Sequence, residues 1–172
     1  MKVFGIAGYS GSGKTTLLER MIPVFILEGL KVSVMKHAHH AFDVDRPGKD
    51  SYRHREAGAS EVLISGGERW VLMHELRGVQ EPSLEQLLKR FSPCDLVLVE
   101  GFKDQPIPKL EVHRRDSGKP LLYPTNPDIV AVATDEELDT TLPQLDVNYP
   151  ESVAVFIMNY LGFRIQETRL LA

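Results

Sequence analysis

The segment Gly8-Tyr9-Ser10-Gly11-Ser12-Gly13-Lys14-Thr15 follows directly on the apolar run Val3–Ala7. It fills every fixed position of the pattern G-x-x-x-x-G-K-[ST], in the setting that gives the pattern meaning: a short buried strand, a glycine-rich turn, then a helix. Glycines let the backbone bend tightly and aim successive N–H groups at phosphate oxygens. The helix that opens near Thr15 adds free N–H groups and the positive end of its dipole. Lys14 is placed to reach the β- and γ-phosphates, and the Thr15 hydroxyl to ligate Mg²⁺. These residues predict binding of a nucleoside triphosphate. Thr16 is either a second hydroxyl near the α-phosphate or an ordinary first-turn helix residue.

A phosphate loop needs a carboxylate to hold the metal and position water. Glu100 is the candidate, because it ends the apolar run Leu96–Val99 at the carboxyl end of a central strand, where open α/β sheets meet their ligands. Asp95 precedes that strand and belongs at the opposite end. Beyond the second strand, Lys31–Met35, stand Lys36-His37-Ala38-His39-His40 and then Asp43 and Asp45. A nucleotide-switch loop at this place carries an acid near the γ-phosphate, so Asp45, or else Asp43, is expected to contact the metal through water. Catalytic duty is therefore expected of Lys14, Glu100 and Asp45, and metal ligation of Thr15 and Glu100. A rival for His37, His39 and His40 is a transition-metal site, since imidazole suits Zn²⁺ and Ni²⁺. Three histidines within four residues cannot all face one ion from a regular strand. Asp135 ends the late strand Ile129–Ala133 and its Thr134. A carboxylate there accepts from guanine N1–H and its 2-amino group, two donors that adenine lacks. The competing role for Asp135 is a turn or helix cap.

The elements that must position these groups alternate as strand and helix through the first hundred residues, which predicts βαβ units around a largely parallel sheet. The first helix is expected over Lys14–Glu28, with Leu17, Leu18, Met21, Phe25 and Ile26 at helical spacing, Gly29 as its stop and Pro23 as a kink. A second is expected over Lys49–Ala57. Glu61–Ile64 and Trp70–His74 read as a hairpin around Gly66-Gly67. Ser83 with Gln86 forms a capping box for a helix Leu84–Phe91. Leu96–Val99 reads as a strand buried on both faces. Leu110–His113 and Ile129–Ala133 are further strands, Asp104–Pro108 is a loop, and an amphipathic helix covers Glu151–Leu161. Trp70, Phe91, Phe102 and Phe156 are expected in the core or a subunit interface.

Composition narrows the class. The 172 residues suit one domain with a substantial core, at 42% hydrophobic and 26% charged residues. A net charge of −4 gives no reason to expect nucleic acid or an acidic membrane as partner. No apolar stretch approaches the roughly 18 residues that span a bilayer. The single cysteine, Cys94, excludes an intrachain disulfide and fits a reducing cytoplasm. The hairpin Glu61–His74 offers an edge that a second copy could cover, so a homodimer is expected.

Together, the phosphate loop with Thr16, Lys36-His37-Ala38-His39-His40, the stretch from Asp43 to Ser51 (Asp-Val-Asp-Arg-Pro-Gly-Lys-Asp-Ser) and Leu98-Val99-Glu100-Gly101-Phe102-Lys103 resemble the MobB family of molybdopterin-guanine dinucleotide biosynthesis proteins. The resemblance runs from the phosphate loop through Ala131–Asp135. It implies an α/β, three-layer P-loop NTPase fold, with a mostly parallel sheet flanked by helices and an extended β-hairpin, forming a single GTP-binding domain over residues 1–172. It implies a cytoplasmic, dimeric adapter that binds GTP and Mg²⁺ and has weak intrinsic GTPase activity. Such proteins assist the guanylyltransferase that joins GMP to molybdopterin and help pass the cofactor to molybdoenzymes; molybdopterin itself is a further candidate ligand. Carried over by position, the nucleotide-binding residues are Gly11, Ser12, Gly13, Lys14, Thr15 and Thr16, and Glu100 is the acid of the second motif. Many members of the wider branch, which includes metallochaperone GTPases, carry lysine at the second loop position. This chain has Tyr9 there, so a lysine donated across a dimer is not expected.

Two other readings share the phosphate loop. A small-molecule kinase needs an arginine-bearing lid, and the pairs Arg53/Arg55 and Arg114/Arg115 fall in no evident lid segment. A nickel-delivering GTPase needs a cysteine–histidine motif, and Cys94 has no adjacent histidine.

Overall fold

The computed structural model describes residues 1–38 and 42–165. They form two compact units, Met1–His37 with the chain from Leu88 onward, and Ala38–Leu87 between them.

The first unit is built on a six-stranded sheet: β1 (Lys2–Ala7), β2 (Val32–Lys36), β5 (Leu96–Glu100), β6 (Lys109–Val112), β7 (Ile129–Thr134) and β8 (Gln144–Asp146). Their order is β2-β5-β1-β6-β7-β8, and every pairing is parallel. All carboxyl ends therefore lie along one edge. The central β5 is buried at all five residues, as its unbroken apolar run predicts. Helices α1 (Lys14–Leu27) and α4 (Pro150–Tyr160) pack on each other, and Leu17, Leu18, Met21 and Phe25 join Val153, Ala154, Ile157 and Met158 in one core.

Pro23 lies inside α1 and does not end it. An interior proline costs about 3 kcal/mol, but burying Met21 and Phe25 completely on either side of it recovers about 2 kcal/mol each. The helix stops where Gly29 takes φ 81°. Gly29 N–H donates to Ile26 O at 2.9 Å and Leu30 N–H to Phe25 O at 3.0 Å, which satisfies two terminal carbonyls. The edge strand β8 is only three residues long and is not among the strands expected from the sequence.

Glu111 sits in β6, 1% exposed, and both its oxygens accept backbone N–H groups, from Leu122 at 2.8 Å and Tyr123 at 2.9 Å. Glu111→Ala should destabilise the fold by about 3 kcal/mol, because two charge-assisted hydrogen bonds vanish and the buried N–H groups lose their acceptor. Denaturant unfolding checks this; a loss under about 1 kcal/mol would mean water replaces the carboxylate.

The second unit holds α2 (Asp50–Glu56) and an antiparallel hairpin of β3 (Glu61–Ser65) and β4 (Trp70–His74). Arg55 organises it. The guanidinium reaches Asp43 at 2.8 Å, Glu75 at 2.9 Å and Asp45 at 3.4 Å, and Asp43 first, then Glu75, raise its pKa against the opposing effect of desolvation. Arg55 is thus an organising ion of this unit. The hairpin leaves Leu63, Ile64, Trp70, Val71 and Leu72 exposed, so Trp70 is not a core residue.

Between the hairpin and β5, α3 (Leu84–Leu88) opens on the expected capping box, with Ser83 N–H donating to Gln86 Oε1 at 2.8 Å and Gln86 N–H to Ser83 Oγ at 3.3 Å. It is shorter than the predicted Leu84–Phe91. Pro93 drives Ser92 away from helical backbone, and the chain leaves in a turn where Phe91 N–H donates to Leu88 O.

Candidate functional site

The turn between β1 and α1 places Gly8, Gly11 and Gly13 at φ of 140°, 84° and 92°. Gly8 has no alternative: a Cβ there would stand 2.5 Å from Val112 O and 2.7 Å from Ser12 Oγ. Because α1 opens on Gly13, no side chain caps its first N–H groups, and they remain available to an anion. Ser12 Oγ is buried and has no hydrogen-bond partner among the described residues. An orphaned buried hydroxyl in the glycine turn, just before an uncapped helix start, fits a site built around an anion.

Lys14 folds over this turn, its Nζ donating to Gly8 O at 2.9 Å and Tyr9 O at 2.8 Å. Burial pushes its pKa down; Glu100 opposes that shift and Lys36 adds to it. The acid and the second cation arrive through strand register. Glu100 pairs with Ile6 of β1 on one side and with Lys36 of β2 on the other, so three strand ends converge. The Thr15 hydroxyl donates to Glu100 Oε1 at 3.2 Å, and Lys36 Nζ lies 3.4 Å from the same oxygen. Glu100 is 8% exposed. Its carboxylate and the Thr15 hydroxyl are hard oxygen donors of the kind Mg²⁺ takes. Asp95 lies at the amino end of β5, where its carboxylate accepts from Lys31 N–H at 2.7 Å.

Thr16 occupies the first turn of α1. Asp45 belongs to the other unit. Its Oδ1 accepts from Arg46 N–H and the Ser51 hydroxyl, both at 2.9 Å, and its Oδ2 from Arg55 Nε at 3.4 Å. His37 packs on Phe102 with ring centroids 4.5 Å apart. His39 and His40 lie outside the described residues. Among the described residues no cluster of three or more His, Cys, Asp or Glu side chains is arranged to hold a metal ion.

Asp135 lies just past β7 in the same unit as the phosphate loop. Its Oδ1 accepts from Arg115 N–H at 2.9 Å and its Oδ2 from Arg114 Nη1 at 3.1 Å. The backbone bond first, then the Arg114 bond and charge, hold its carboxyl below the usual range, while desolvation opposes them. Beside it opens a cavity of about 300 Å³, with Thr134, Glu136, Gln144, Asp146 and Asn148 among its walls. Arg114, which the sequence offered only as a lid arginine and set aside, comes to this site instead. Its Nε lies 3.7 Å from the position a Cβ on Gly13 would take, so its guanidinium stands against the phosphate loop.

Residues 3–135 match the family model described as MobB, molybdopterin guanine dinucleotide synthesis protein B. The chain belongs to the MobB family. It is 47% identical over 161 residues to the molybdopterin-guanine dinucleotide biosynthesis adapter protein of Haemophilus influenzae, covering 92% of this chain and 89% of that protein. It is 39% identical over 162 residues to the protein of the same description from Escherichia coli K12, covering 92% and 93%. Among solved structures, a molybdopterin-guanine biosynthesis protein B superposes with a TM-score of 0.74 at 27% identity, covering 92% of this chain and 99% of that one. A MobB homologue from Bacillus stearothermophilus superposes with a TM-score of 0.70 at 26% identity, covering 95% and 100%. The parallel sheet with flanking helices and a small hairpin is thus the P-loop NTPase fold of MobB proteins.

Proposed function

We propose that this chain is a GTP- and Mg²⁺-binding adapter of molybdenum cofactor biosynthesis that assists attachment of GMP to molybdopterin and hydrolyses GTP weakly. The observation that carries the nucleotide half is the convergence of Lys14, Thr15, Glu100 and Lys36 on three strand ends beside an uncapped helix. The adapter half is supported by the descriptions of its relatives.

Gly11, Ser12 and Gly13 shape the cradle, Lys14 balances phosphate charge, and Thr15 and Glu100 would hold Mg²⁺, which supplies charge neutralisation at the phosphates. Thr16 adds a donor from the first turn. Glu100 is also the group placed to orient water. Asp45 is held in its loop by Arg46, Ser51 and Arg55, and we assign the central hydrolytic roles to Glu100 and Lys14, with Asp45 as the further acid expected to act through water. Turnover is slow in this reading, since Tyr9 stands where an activating lysine would come across a dimer.

Asp135 reads the base. Its charged carboxylate offers acceptors to guanine N1–H and the 2-amino group. Asp135→Asn replaces an acceptor by a donor, so GTP should lose its advantage over ATP by about tenfold or more and XTP, with a carbonyl at position 2, should gain. Competition binding with the three nucleotides measures this, and an unaltered GTP/ATP ratio would remove Asp135 from recognition.

The working form is a cytoplasmic homodimer, with the exposed apolar hairpin, Leu63, Ile64, Trp70 and Leu72, as the surface that a second copy covers. Its partners are the guanylyltransferase, molybdoenzymes and the anionic pterin. The test is a pull-down from the native cell with and without GTP, with bound proteins and pterins identified by mass spectrometry. GTP-dependent recovery of a guanylyltransferase or molybdoenzyme supports the adapter. A phosphorylated metabolite made from ATP would support a kinase instead.

A further inference from the structure

We propose that Arg114 is a specificity-positioning residue, a guanidinium that lies beside the phosphate loop, holds Asp135 and presents its carboxylate to the base in one orientation. The inference rests on Asp135 as the base acceptor and names what makes that acid selective.

Three hydrogen bonds and one close approach carry it. Arg114 Nε stands against Gly13, at the opening of α1. Its Nη1 donates to Asp135 Oδ2 and to Asn148 Oδ1, each at 3.1 Å. Asp135 Oδ1 is held separately by Arg115 N–H at 2.9 Å. Both oxygens of the carboxylate are thus pinned, one by a side chain and one by backbone, and each keeps a further lone pair for a ligand. A surface aspartate without such ties samples several rotamers and must be ordered on binding, at about 0.5–1.5 kcal/mol for an immobilised side chain. Here that ordering is present before the base arrives. A planar guanidinium suits the task because its donors leave in fixed directions, so one residue can span the loop, the acid and Asn148.

The neighbouring acid does not compete. Glu136 is engaged by His113 Nε2 at 3.0 Å and Arg115 Nε at 3.2 Å, which leaves Arg114 to Asp135. The segment His113-Arg114-Arg115, just past β6, therefore straddles Asp135 and Glu136, just past β7. Its pairing register is set by the bond from His113 N–H to Ala133 O at 2.9 Å. Charge supports the same picture, since Arg114 helps Asp135 stay ionised and therefore a pure acceptor.

The experiment is calorimetric titration of the full chain with GTP, ATP and inorganic tripolyphosphate in the presence of Mg²⁺. In Arg114→Gln the GTP/ATP affinity ratio should fall by about tenfold, while ATP and tripolyphosphate bind within about twofold of the parent. Asn148→Ala keeps the ion pair and removes one anchor of the guanidinium, and should lower the ratio about threefold. Arg114→Lys keeps charge beside Asp135 without the fork and should restore part of the ratio. Equal weakening of all three ligands in Arg114→Gln, or an unchanged ratio, would overturn the inference, because Arg114 would then only brace the loop or do nothing. If the parent chain itself binds GTP and ATP alike, base reading by Asp135 falls, and the inference with it. If the parent prefers GTP and only the Arg114 result fails, the reading of Asp135 stands.

Discussion

Lys14→Ala is expected to weaken binding of GTP·Mg²⁺ on the order of a hundredfold, corresponding to about 3 kcal/mol. Lysine carries three donors and no acceptor, and two of those donors lie on the carbonyl oxygens of Gly8 and Tyr9, which holds the ammonium over the loop. Its charge is balanced within the site. Burial disfavours the cation, Lys36 adds repulsion, and Glu100 counteracts both. A triphosphate entering this environment gains a charge-assisted partner that is already desolvated and oriented, the condition under which such bonds are strongest. Alanine removes that partner but leaves the uncapped N–H groups at the start of α1, so binding should fall steeply without disappearing. Calorimetric titration of the variant measures the loss. A change of less than about threefold would show that the helix end alone holds the phosphates.

Glu100→Gln should reduce Mg²⁺-dependent hydrolysis of GTP by about a hundredfold and leave the fold intact, since glutamine fills the same buried space and can still accept from Thr15. The sign of its effect on binding depends on the metal. With Mg²⁺ present, loss of the carboxylate removes an oxygen ligand, so the nucleotide binds more weakly. Without Mg²⁺, the carboxylate is a negative charge at the place meant for phosphates, and its removal should strengthen nucleotide binding or leave it unchanged. Lys36 works in the same direction, because freed from its 3.4 Å contact with Glu100 its charge is available to the phosphates. Single-turnover hydrolysis and titrations with and without chelator separate these effects. Undiminished hydrolysis in the variant would remove Glu100 from the chemistry, and equal binding changes with and without metal would remove it from the metal site.

The phosphate loop and Glu100 were legible in the sequence because both depend on local order. A glycine turn with the Gly-Lys-Thr ending directly behind an apolar strand announces a phosphate loop and its helix, and an acid that closes an unbroken apolar run falls at the ligand edge of a parallel sheet. The capping box of Ser83 and Gln86 and the glycine stop at Gly29 were legible for the same reason, each being complete within a few residues. What was not legible depends on partners distant in the chain. Arg114 takes its meaning from the pairing of β6 with β7, which brings it to Asp135, and from the turn at Gly13, a hundred positions earlier. Lys36 meets Glu100 only because β2 and β5 are neighbours in a particular register. The contacts of Asp45 were not legible either: its position after β2 suggested a reacting acid, and the sequence did not show that Arg46, Ser51 and Arg55 also bind its oxygens. Trp70 was expected in a core or an interface because large aromatics are costly to expose, and its exposure on the hairpin takes it out of the core.

If GTP is what readies this chain for its partner, the ligand must bind the docking-competent state more tightly than the alternative, and by linkage the partner must then tighten GTP binding by the same factor. The most direct test is the affinity of the purified guanylyltransferase for this protein with GTP·Mg²⁺, with GDP·Mg²⁺ and without nucleotide. The account predicts tightest binding with GTP·Mg²⁺, by about tenfold over the other two states, a modest coupling by the standards of such linkages. Equal affinity in all three states would contradict it.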